Sequence, residues 1–161
     1  MLIRKITKKT VKPFLFLHGT AETDFPGIVS TGGKIMEALD QYIKTREIKV
    51  TGPVIWMYDH IGDGMVKLKA GVPVQGVTRA GKGFSVRQQK AWACMSTPYT
   101  GSMKKIPKAW DEFTEAIREQ GLTPMNINRE VYLKWIGFDS KENLTELQVA
   151  VKAKRASSGK S

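Results

Sequence analysis

Apolar residues in this chain fall into short runs and alternations punctuated by glycine and proline. Phe14-Leu15-Phe16-Leu17 is a continuous run after Pro13, as in a strand covered on both faces. Past the Pro26-Gly27 break, Ser30 or Thr31 can cap a helix in which Ile35, Leu39, Tyr42 and Ile43 recur at helical spacing. Lys34, Glu37, Asp40 and Lys44 take its outer face. Gly52-Pro53 ends that unit, Val54-Ile55-Trp56-Met57-Tyr58 reads as a strand, and Ile61-Gly62-Asp63-Gly64 has turn chemistry. Val66, Leu68, Ala70, Val72 and Val74 then alternate with Lys67, Lys69, Gly71 and Pro73, the pattern of a half-buried strand. Pro73 has no N–H to give a ladder, which places that end at an edge or a bulge.

The second half repeats this grammar. A strand is expected over residues 84–92, then a loop over 96–101. Ile106, Trp110, Phe113 and Ile117 form one stripe of a second helix that begins near Pro107 and stops at Gly121. Arg129-Glu130-Val131-Tyr132-Leu133-Lys134-Trp135-Ile136 is a further strand, Asp139-Ser140-Lys141-Glu142-Asn143 a turn, and residues 144–153 a last strand. The chain is therefore two copies of one unit, strand-helix-strand-strand. Ile55-Trp56-Met57-Tyr58 falls on Arg129-Glu130-Val131-Tyr132, and Lys69-Ala70-Gly71-Val72-Pro73-Val74 on Glu146-Leu147-Gln148-Val149-Ala150-Val151. The expected fold class is α+β: two tandem repeats forming a pseudo-two-fold antiparallel sheet, both helices on one face, and a ligand cleft between the repeats. Residues 1–155 are read as one domain, with repeats at about 10–80 and 84–153, and 156–161 as a disordered basic tail.

Composition narrows the chemistry. At 161 residues, 41% hydrophobic and 25% charged, the chain suits one well-buried domain. It has no apolar run long enough for a membrane helix and no signal-peptide pattern at its start. A single cysteine, Cys94, fits a reducing cytoplasm and reads as a small buried apolar residue. One Cys and two His are too few for a zinc site, so neither a metal nor a cofactor is expected. The net charge of +11 is concentrated at the ends, in Arg4, Lys5, Lys8, Lys9 and Lys12 and in Lys152, Lys154, Arg155 and Lys160. No helix-turn-helix, zinc-finger or aromatic-basic RNA pattern accompanies it, so no specific nucleic acid is expected as a partner of this chain by itself.

The candidate chemistry centres on Glu130. In an apolar strand, alternation buries this acid or aims it into a cleft, with Tyr132 facing the same way. Its counterpart in the first copy is Trp56, while Tyr58 and Tyr132 correspond. Near the pseudo-axis these four would assemble an acid, an indole and two phenols, a set that can hold a flat or cationic small molecule. From the residues alone the alternative stays open that Glu130 faces water and that Trp56 and Tyr58 are core aromatics. Trp92 and Tyr99 are further candidates for the wall of a pocket, and His18, at a strand end, is left unassigned.

These residues carry a resemblance. The chain resembles the GyrI-like (gyrase-inhibitor-like) small-molecule-binding domains, whose fold also forms the effector-binding domain of AraC-type and MerR-type regulators. The matching pieces run from Gly52-Pro53 and Tyr58 through Asp63-Gly64 and Ala70-Gly71-Val72-Pro73-Val74. They continue with Pro98-Tyr99, Ala109-Trp110, Glu130-x-Tyr132 and Thr145-Glu146-Leu147-Gln148-Val149-Ala150-Val151. They span roughly residues 10 to 153. The family's usual Gly-Pro-Tyr is here Thr97-Pro98-Tyr99, and about four extra residues separate Tyr99 from the helix. The resemblance implies a cleft lined by aromatics around a central acid, Glu130, that binds cationic, lipophilic or polycyclic compounds. Two alternatives follow from it: a hydrolase of strained, electrophilic compounds using Glu130 and Tyr132, or a gyrase- or DNA-associated regulator with a protein partner.

Overall fold

A computed structural model of the chain describes residues 2–153. The tail read at 156–161 lies outside the described residues, as do Lys154 and Arg155. The elements run β1 (Thr7–Val11), β2 (Phe14–Asp24), α1 (Ile28–Arg46), β3 (Lys49–Val50), β4 (Ile55–Gly62), β5 (Met65–Gln75), β6 (Ser85–Gln89), β7 (Trp92–Thr100), α2 (Ile106–Glu119), β8 (Leu122–Lys134) and β9 (Leu144–Ala153). The strands make one antiparallel sheet in the order β1-β7-β9-β8-β4-β5-β2-β6, with β3 on β5.

The order displays the duplication. β2-α1-β4-β5 and β7-α2-β8-β9 are the two repeats, and they meet along β4 and β8. Trp56 pairs directly with Glu130 across that seam, so the pseudo-two-fold axis passes through the two positions that the repeats make equivalent. The flanking strands are exchanged: β1, ahead of the first repeat, pairs with β7 of the second, and β6, ahead of the second, pairs with β2 of the first.

Both helices cover one face of the sheet. Under α2 lie Met95, Tyr99, Leu147 and Val149, meeting Ile106, Ala109, Phe113 and Ile117 of the helix stripe. Under α1 lie Leu17, Val72 and Val74, meeting Leu39 and Tyr42. The opposite face keeps a smaller apolar centre of Phe16, Ile55, Met57 and Val131.

Turn chemistry explains the joints. Asp63 and Gly64 both have positive φ (55° and 72°), the two-residue turn whose twist matches a hairpin. Gly121, φ 79°, follows the last turn of α2 as expected. The edge or bulge expected at Pro73 is not what the sheet has there, because β5 is interior. Pro73 pairs with Phe16 of β2, while its other side faces the gap between β3 and the start of β4, where Thr51 N–H donates to its carbonyl.

Several boundaries differ from the sequence reading. α1 begins at Ile28 with Gly27 as its N-cap rather than Ser30 or Thr31, continuing from a 3-10 turn over Phe25–Gly27 that Asp24 caps by accepting from Gly27 N at 2.8 Å. The strand expected over 84–92 is two strands, and the loop expected over 96–101 is the continuation of β7. Pro98 falls between the last β1 pair, Thr7 with Ser96, and the isolated bridge of Ile3 to Tyr99, so no pair of the β1 ladder rests on its missing N–H. β1 itself, Thr7-Lys8-Lys9-Thr10-Val11, is almost wholly exposed and carries no apolar alternation that a sequence pattern could reveal.

Candidate functional site

Alternation along β8 sends Asn128, Glu130 and Tyr132 to the helix-covered face and Arg129 and Val131 to the other. Trp56 and Tyr58 of β4 join the first set. Four of the expected site residues are thus brought together. Tyr58 Oη donates to Glu130 Oε1 at 2.8 Å, and Tyr132 Oη donates to the same oxygen at 2.5 Å. The Trp56 ring stands edge-on to Tyr132, centroids 5.8 Å apart.

The packing above them is complementary in size. On one side of the axis the strand carries the large residue, Trp56, and α1 offers Gly32, where any Cβ would overlap the indole. On the other side the strand carries the acid and α2 supplies the large residue. Trp110 Nε1 donates to Glu130 Oε2 at 2.7 Å.

Glu130 is 6% exposed, and each carboxylate oxygen accepts at least one hydrogen bond. All three donors are neutral. None of the ion pairs among the described residues includes Glu130. Burial raises its pKa above the ordinary carboxylate value, against the opposing pull of the hydrogen bonds from Tyr132, Trp110 and Tyr58. Burial first, and then the neighbouring Glu130 charge, pushes the Tyr58 and Tyr132 phenols well above their usual range, so both remain donors at neutral pH. Asn128, on the same face, keeps a buried Oδ1 with no donor among the described residues.

The raised pKa of Glu130 has a consequence for stability. Between its unfolded and folded pKa the native state holds the extra proton, so stability falls as pH rises through that window. We expect urea midpoints of the wild type to fall from pH 4.5 upward, over and above the change in Glu130→Gln. Coinciding pH profiles for the two proteins would remove Glu130 as the source.

The other two expected wall residues are not brought to this cluster. Tyr99 is fully buried under α2, its hydroxyl donated to Ser102 O at 2.7 Å. Trp92 lies on the opposite face of the sheet, where the Arg129 guanidinium sits 4.0 Å from its ring centroid. Both follow from register: Tyr99 pairs with Thr145 in the α2 core, and Trp92 alternates with it on β7. Sequence pattern alone misses Trp110, Asn128 and Trp135 as site residues. Trp110 is legible only as one member of the α2 stripe. Trp135, 52% exposed and edge-on to Tyr132 at 6.0 Å, is legible only as a strand residue. His18 is buried, stacked on Phe16 and held neutral, its pKa lowered to about 4 by burial. Cys94 is buried, with its thiol pushed up to about 11. Among the described residues no cluster of His, Cys, Asp and Glu has the makings of a metal site, and no helix is long and apolar enough to cross a membrane.

No protein-family model matches the chain, and no curated protein does. Solved structures do. The C-terminal domain of EcmrR superposes with a TM-score of 0.79 at 16% identity, over 95% of this chain and 99% of that one. In the EcmrR–DNA complex the chain spans 59% of the EcmrR chain, with a TM-score of 0.78. SAV2435 bound to tetraphenylphosphonium gives 0.67 at 14% identity, over 92% of this chain and 94% of that one. A hydrolase from Listeria innocua gives 0.60 at 12% identity, over 92% of each chain. With its paired repeats, its seam at Trp56 and Glu130 and these structural neighbours, the chain has the GyrI-like fold, shared with the C-terminal domain of EcmrR and with SAV2435.

Proposed function

We propose that this chain binds lipophilic cations, with Glu130 as the counter-charge and Trp56, Tyr58, Trp110 and Tyr132 as the surrounding wall. One observation carries the reading: a carboxylate is buried at the symmetry seam with only neutral donors around it. Phenols and an indole offset part of the desolvation cost of the charge, which is several kcal/mol for an ion moved into a protein interior. They leave its sign uncompensated. A cation entering beside it supplies the missing charge, and aromatic faces add cation–π attraction of about 0.5–2 kcal/mol each. Exposed Trp135 stands edge-on beside Tyr132, where it can cover an apolar ligand. The tetraphenylphosphonium complex of SAV2435, a protein of the same fold, supports the choice of ligand class.

The test is a titration of the full chain with tetraphenylphosphonium, followed by tryptophan fluorescence. Saturable quenching with a micromolar midpoint is expected, and no change up to the solubility limit of the salt would overturn the reading.

A second reading, hydrolysis of electrophilic compounds, draws on the Glu130–Tyr132 contact. An acid with a raised pKa can serve as base toward water, and a phenol can donate to a developing oxyanion. The two readings part at Tyr132→Phe. A hydrolase should lose kcat at least ten-fold with KM little changed, whereas in a receptor the variant alters affinity and there is no turnover to lose. Turnover of an epoxide or activated-ester panel, measured by product release, decides between them.

A further inference from the structure

On the face of the sheet away from the helices, a cavity of about 310 Å³ opens between β4, β5, β8 and the β6–β7 connection. Its walls include Met57, Trp92 and Ile127, and its charged lining is Lys67, Lys69, Lys90 and Arg129 against one acid, Asp59. Lys67 is flanked in register by Asp59 and Glu22, so the uncompensated charge belongs to Lys69, Lys90 and Arg129.

Arg129 is the telling residue. It is 6% exposed, its guanidinium lies over Trp92 at 4.0 Å, and neither Nε nor Nη1 has an acceptor among the described residues. A buried guanidinium normally pairs with a carboxylate, because an unpartnered interior charge is costly. Gln148 stands opposite Arg129 in the ladder but turns its amide nitrogen to Glu146 at 2.7 Å, leaving its own Oε1 unpartnered as well. Lys69 is half-buried, and its ammonium is disfavoured by burial first and then by Lys67, Arg87 and Arg129, with Asp59 opposing. Glu146, an acid on the same face, is engaged by Lys9 at 2.8 Å. Two like charges at least partly shielded from water, faced by a single acid, Asp59, that pairs in register with Lys67, against an apolar floor describe a receptor for an anion.

We propose that this groove is a second binding site, in which Arg129 and Lys69 hold the oxyanion of a small organic acid whose apolar body lies along Met57, Ile127 and the edge of Trp92. The head group is a carboxylate, sulfonate or phosphate monoester. The site is independent of the Glu130 reading, being on the other face of the sheet and opposite in charge.

The probe is 8-anilinonaphthalene-1-sulfonate, titrated by fluorescence into the full chain, with N-phenyl-1-naphthylamine as its uncharged counterpart. Arg129→Met and, separately, the gentler Lys69→Gln should each weaken the sulfonate at least ten-fold and leave the neutral dye within about two-fold. Glu130→Gln should leave the sulfonate unchanged, so a failure at one site is not mistaken for a failure at the other. Wild-type affinity for the sulfonate in both variants would overturn the assignment, as would equal losses for both dyes. Displacement of the sulfonate by a twelve-residue oligothymidylate at a lower concentration than by naphthalene-2-sulfonate would also overturn it, in favour of a polyanion.

Discussion

Replacing Glu130 by Gln is expected to weaken tetraphenylphosphonium binding by at least about 30-fold, from the 2–5 kcal/mol typical of truncating one partner of a buried charge pair. The substitution keeps volume and shape, and it keeps an oxygen for the Tyr58 and Tyr132 hydroxyls, which both point at Oε1. It removes the charge, and it sets an amide NH₂ against the Trp110 Nε1–H that now donates to Oε2. That donor–donor contact costs about 1–3 kcal/mol in the free protein, while loss of an unbalanced buried charge works in the opposite direction. Stability should therefore move by less than about 2 kcal/mol, small enough for a folded variant. Isothermal titration of both proteins, with urea melts alongside, separates the two effects. Equal affinities would take the acid out of the site.

Gly71→Ala is expected to cost about 3 kcal/mol of stability, at the upper end for overpacking, because the added methyl meets backbone rather than a movable side chain. Gly71 pairs with His18 between β2 and β5, and a Cβ there would sit inside the contact radius of Leu17 O and His18 Cα. Relief requires β2 and β5 to separate, at a ladder that carries Phe16, Leu17, Val72 and Val74 of the core. Gly33→Ala is the matched comparison: it is an exposed position inside α1 with nothing within 4 Å of the added methyl, so helix propensity alone predicts a gain of up to about 1 kcal/mol. Urea midpoints for the two variants should move in opposite directions. Unaltered stability in Gly71→Ala would mean that β2 and β5 are not in this register.

The clearest part of the fold in the sequence is its repetition. Strand period, helix period and the Asp63-Gly64 turn each obey local rules, so two copies of strand-helix-strand-strand are legible, and with them the equivalence of Trp56 and Glu130. What local pattern cannot carry is pairing between distant segments. β1 and β6 are exchanged between the repeats, and the polar Thr7–Val11 strand is defined by its neighbour β7 rather than by its own residues. The same limit applies to the site. Alternation puts Glu130 with Tyr132 and Trp56 with Tyr58, and the equivalence of the two repeats, which sets β4 beside β8, gathers the two pairs. Trp110 comes from a helix whose placement over β8 is a tertiary fact. Trp92 and Tyr99 read as wall residues only while the β7–β9 register that separates them is unknown.

The most direct test of cation binding at the seam is a crystal structure of the full chain grown with tetraphenylphosphonium. The phosphonium is expected within about 6 Å of a ring face of Trp56, Trp110 or Tyr132, the reach of a cation–π contact, with the Glu130 carboxylate turned toward it. A cation ordered elsewhere, with Glu130 still closed under Tyr58, Tyr132 and Trp110, would contradict it.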